Sequence, residues 1–90
     1  MPESPCWRWE RHDGNHSIWW GEWEVVVFAT VGAPSWSEWA WAVIDRSKGL
    51  QGLEVEGREP TRTGAMLVAE AALLERLSAH ERAEFLRMSD

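Results

Sequence analysis

The sequence predicts an α+β domain: an antiparallel sheet of four strands joined in hairpins, in ββββαα order, with a long alanine-rich helix on one face and a short C-terminal helix. Three observations carry this. Trp36 to Asp45 alternates with period 2, placing Trp39, Trp41 and Val43 on one side and Glu38, Ala40, Ala42 and Ile44 on the other. Val25-Val26-Val27-Phe28 is apolar on both sides, as a central strand must be. From Thr61 the apolar period lengthens to that of a helix.

Residues 1–5 read as a flexible lead-in and residues 6–90 as a single domain. Cys6 to His12 alternates large apolar with charged residues, a half-buried strand with Trp7 and Trp9 inward. Asp13-Gly14-Asn15 supplies turn chemistry, so a hairpin follows. The run from Ser17 to Val31 is long for one strand, and Gly21 within it is expected as a bulge or bend between Trp19-Trp20 and Trp23.

Gly32-Ala33-Pro34-Ser35 breaks that run, because Pro34 removes a donor and Gly32 loosens the backbone. The two-faced strand Trp36 to Arg46 follows. Ser47-Lys48-Gly49 turns the chain into a shorter strand, Leu50 to Glu56, with Leu53 and Val55 on one face and Glu54 and Glu56 on the other. Its acids suit a sheet edge, where charge discourages adventitious pairing.

Thr61 or Thr63 is the expected N-cap of a helix whose close-packing stripe is Ala65, Ala69, Ala72 and Leu73, with Met66 and Leu77 beside it. Leu67, Ala71 and Leu74 form a second apolar strip on its far side. Ser78 and Glu81 have the spacing of a capping box, so a second helix is expected through Met88, its Ala83, Phe85 and Leu86 placed to fold back over part of that strip.

Fifteen acidic against nine basic residues give a net charge of −6. Residues 1–59 hold ten acids and five bases, so the negative field belongs to the sheet half. A phosphate-backbone binder needs a basic stripe, which this chain lacks, and nucleic acid is disfavoured. The lone Cys6 cannot form an internal disulfide, and neither a leader pattern nor a long apolar run is present, so the expected setting is cytoplasmic, with no membrane. Arginine occurs eight times against a single Lys48 and a single Asn15. That usage points to a high-GC bacterium or one of its phages or plasmids.

No nucleotide-binding glycine fingerprint occurs. Cys6, His12, Asp13 and His16 are the one grouping with metal-ligand chemistry, but they straddle a turn and read as solvated, so no metal or other cofactor is expected. Ser35, Ser37 and Glu38 lie near one another, yet neighbouring strand residues point apart, which defeats a nucleophile and base. Glu22 with Glu24 and Glu54 with Glu56 read as solvated strand faces. The chain is therefore expected not to be an enzyme.

The eight tryptophans are the informative residues, each with roughly 150 to 250 Å² to bury. Trp23 and Trp41 are assigned to the core. A domain this small does not shelter the rest, and aromatic anchors are what protein interfaces use. The expected contact surface is Trp19, Trp20, Trp36, Trp39, Leu67 and Leu74, and the expected function is a small acidic protein-interaction module that binds a protein partner or pairs with itself as a homodimer. The competing reading is an inhibitor of phage or mobile-element origin whose acidic sheet binds a basic host protein as a nucleic-acid decoy.

Overall fold

The computed structural model describes residues 8–29 and 38–88. The lead-in over residues 1–5, Cys6 and Trp7 of the first strand, the break at Gly32 to Ser35, and Trp36 lie outside the described residues.

The described residues form a sheet of five strands, not four: β1 Glu10–His12, β2 Asn15–Trp20, β3 Trp23–Ala29, β4 Trp39–Asp45 and β5 Leu53–Glu59. They lie side by side in chain order, each antiparallel to the next. The extra strand comes from Gly21. This residue is not a bulge within one long strand but the start of a two-residue hairpin turn, and Trp20 pairs with Trp23 across it. Its φ of 61° is the positive value such a turn needs at its first central position, which glycine adopts without steric cost.

The β1–β2 hairpin turns where the sequence places it. Asp13 and Gly14 take φ of 51° and 84°, the double positive value of a type I′ turn, and Asn15 already belongs to β2 opposite His12. β3, apolar on both sides, is the central strand of the five.

Beyond β4 the chain makes a 3-10 turn over Arg46–Gln51, which Asp45 caps by accepting from the Ser47 amide. The last strand therefore starts at Leu53, later than expected, and runs through Glu59. A register shift between Val43 and Ile44 pairs them with Val55 and Leu53. Leu53 and Val55 consequently do not share a face: Val55 packs on the core, whereas Leu53 is exposed. The extra residue at the bulge is Glu54, whose carboxylate reaches Lys48 at 2.7 Å and Arg76 at 3.9 Å.

Helix α1, Arg62–Arg76, starts where the Thr61 hydroxyl accepts from the Gly64 amide at 2.9 Å. It lies across β3 and β4 and buries Ala65, Met66, Ala69, Ala72 and Leu73. The strand face it covers is the aromatic one, carrying Ile18, Val25, Val27, Trp41 and Val43. Magnitude decides this choice. Burying an indole of roughly 200 Å² is worth on the order of 5 kcal/mol, several times what an alanine contributes. Small side chains on the helix then leave room for large ones on the strand.

Helix α2, Ala79–Met88, opens with the reciprocal capping box: the Ser78 amide donates to Glu81 at 3.0 Å, and the Glu81 amide donates to the Ser78 hydroxyl at 3.2 Å. It does not close over the outer strip of α1. Phe85, fully buried, turns to the sheet and meets Trp20 edge to face at 5.8 Å, while Ala83 and Leu86 stay exposed. No helix among the described residues is long and apolar enough to cross a membrane.

Candidate functional site

With α1 and α2 on one side, the other side of the sheet is covered by no described element. Register fixes its rows. Phe28, Ala40 and Arg58 make one; Ser17, Val26, Ala42 and Glu56 the next; Trp19, Glu24, Ile44 and Leu53 the third. Trp19 and Leu53 are each 51 % exposed and Phe28 38 %, so large apolar groups stand in solvent at three corners of this open face.

Between the first two rows runs a furrow of about 460 Å³. Alanine makes it: Ala40 and Ala42 floor it, Phe28 stands on the β3 side, and Glu56 and Arg58 stand on the β5 side. One wall is aromatic and the other charged. Arg58 is drawn to Glu38 at 3.1 Å, whereas Glu56 has no ion pair among the described residues.

The third row is already occupied by the chain itself. The Arg46 guanidinium lies 5.3 Å from the centre of the Trp19 ring and bonds Glu24 at 2.7 Å. An aromatic face and a carboxylate thus hold one arginine between them, a combination of cation–π attraction and charge-assisted hydrogen bonding.

The structure distributes the expected contact residues over both sides. Trp19 is on the open face. Trp20 and Trp39 are half-buried and pack against the core under the helices, as do Trp9 and Trp23. Trp36 lies outside the described residues. On α1, Leu74 is half-buried against the core, Leu67 half-buried, and Ala71 exposed. Trp19 and the two leucines therefore do not make one surface.

Sequence reasoning missed Phe28, Leu53 and the alanine furrow. The signal was present in Ala40 and Ala42, since two alanines in a row on one strand face leave a trough when bulkier residues flank them.

Among the described residues, the histidines and carboxylate pairs singled out in the sequence do not come together. His12 lies on the open face beside Glu10 at 3.4 Å, while His16 points to the helix side, and Cys6 lies outside the described residues. Among the described residues no three His, Cys, Asp or Glu side chains come together in a way that would hold a metal ion. Glu24 is bound to Arg46 and Glu22 sits in the turn; Glu54 and Glu56 are parted by the bulge. Asp45 has its carboxyl pulled below the usual range, first by the Ser47 hydroxyl, which donates to it at 2.6 Å. Lys48 is pushed up by its hydrogen bond to Glu54. Both are turn-stabilising contacts at the surface.

Comparison with protein-family models, with curated proteins and with solved structures gave no match for this chain.

Proposed function

We propose that this chain is a small non-enzymatic protein-interaction module and that the sheet face opposite α1 is where a basic protein partner sits. The observation that carries the reading is the exposure of Trp19, Phe28 and Leu53 on a face that no described element covers. Charge selects the occupant. The protein carries −6 overall, and Glu56 stands beside the furrow without an ion pair among the described residues. A positively charged surface complements both.

A second copy of the chain is the competing occupant, and two magnitudes argue against it. Two copies bring −6 toward −6, which opposes approach. The five strands, about 4.8 Å apart and up to about 23 Å long, present a face on the order of 500 Å², below the roughly 800 Å² per partner of a standard stable interface. The same area makes the complex with a basic partner transient and salt-sensitive.

Sedimentation velocity over a wide concentration range, combined with NMR titration of extended peptides of basic, neutral and acidic composition, tests this. The expected result is a monomer whose β3 and β4 signals on the open face move with basic peptides alone. A stable dimer that protects this face, or peptide-induced changes confined to α1, overturns it.

A further inference from the structure

We infer that the furrow along β4 is a receptor for one arginine side chain carried on an extended segment of the partner; this rests on the open face being the docking surface. The chain displays the recognition chemistry on its own third row, where Trp19 and Glu24 together hold Arg46. Phe28 and Glu56 offer the same two kinds of group, set further apart: an aromatic ring for the stem of an arginine from outside and a carboxylate for its head.

Geometry supports the assignment. Phe28 and Glu56 belong to adjacent rows on opposite sides of β4, so strand spacing and rise set their Cα atoms about 12 Å apart on the diagonal. That is a span an extended arginine bridges, its methylene stem against Phe28 and over Ala42 and its head at Glu56. The alanine floor shelters the stem, which is the apolar part of a long cationic side chain.

The walls stand about 10 Å apart, room for a side chain or an extended strand but not for a helix of about 10 to 12 Å diameter. A volume of about 460 Å³ lies within the roughly 300 to 1,000 Å³ of sites that hold compact ligands. Arg58 does not neutralise the acid wall, because Glu38 holds it at 3.1 Å. Arginine is favoured over lysine because its planar fork meets a carboxylate with two parallel hydrogen bonds, whereas an ammonium offers only a point charge.

The test titrates the intact protein with an extended peptide holding one central arginine, and with versions holding lysine or citrulline there. The arginine peptide is expected to shift the signals of Val26, Phe28, Ala40 and Ala42, lysine to bind several-fold more weakly, and citrulline about tenfold more weakly. Glu56→Gln is expected to weaken the arginine peptide about tenfold, and Ala42→Leu, which fills the furrow, to abolish its binding. Glu75→Gln on α1 removes an equal charge elsewhere and leaves binding within about twofold. Ala40→Leu is the second filling variant should Ala42→Leu unfold the chain.

Shifts on the open face that are indifferent to Glu56→Gln and to furrow filling overturn the arginine site while leaving the docking face standing. Absence of any basic-peptide effect on that face overturns both.

Discussion

The indole of Trp41 lies against Gly57 across the β4–β5 pair, so closely that a Cβ at position 57 would stand 2.7 Å from Cζ2 and 2.9 Å from Nε1. Trp41 is 7 % exposed and packed under α1, so its ring has nowhere to retreat. Glycine at 57 is therefore a packing requirement. The strand gives up a side chain so that the largest residue of its neighbour can lie flat beneath it.

Gly57→Ala is expected to destabilise the domain by about 1 to 3 kcal/mol, the usual cost of adding a methyl group to a filled core. Urea unfolding with fluorescence detection measures it. A loss below about 0.5 kcal/mol would show that the ring is free to tilt.

Phe85 and Trp20 make the contact that seats α2, edge to face at 5.8 Å. Phe85 is 1 % exposed, and its removal leaves a cavity beside the core. Phe85→Ala is expected to cost about 3 to 5 kcal/mol, a large part of the roughly 5 to 15 kcal/mol that holds a domain together. Hydrogen exchange separates the consequences: α2 amides should lose protection first, with β3 and β4 least affected. A double-mutant cycle with Trp20→Ala should return about 0.5 to 1.5 kcal/mol of coupling beyond area burial.

Much of this architecture was legible in the chain because hydrophobic period and local turn chemistry agree. The Ala65, Ala69, Ala72 and Leu73 stripe is the buried stripe, and Ser78 with Glu81 is the cap. Gly21 was harder to read. A two-residue turn and a bulge both reset the register between Trp20 and Trp23, and the residues alone do not distinguish them. Leu53 was misread because a bulge one residue long reverses every face assignment that crosses it. The open face was hidden for a different reason: the sequence shows that β4 has a thick and a thin side, but which one meets the helix depends on the summed burial of residues from five strands.

Thr61 closes the first turn of α1 through a single hydrogen bond to the Gly64 amide at 2.9 Å. Thr61→Ala is expected to cost about 1 kcal/mol, and Thr61→Ser, which keeps the acceptor oxygen, a few tenths. Chemical denaturation of the three proteins under one set of conditions measures both. Equal losses for alanine and serine would mean that the threonine methyl group, not its oxygen, supplies the stability.

His16 gives the fold a pH dependence whose sign follows from its surroundings. It is half-buried on the helix side of β2, its Nδ1 enclosed without a hydrogen-bond partner among the described residues. Burial lowers its pKa below the ordinary 6.5, and the positive charges of Arg62 and Arg11 lower it further. The unfolded chain therefore takes up a proton near 6.5 that the folded chain resists. This contribution to stability is fully present above 6.5, falls as pH drops below it, and levels off once the folded imidazole is also protonated. Urea midpoints at pH about 7.5 and about 5.5 should therefore differ more in the wild type than in His16→Gln, which removes the titration. His12 and His80 are the same in both proteins, so the comparison cancels their contributions. Equal pH slopes for the two proteins would show that the proton is accommodated at His16 as readily in the folded state as in the unfolded one.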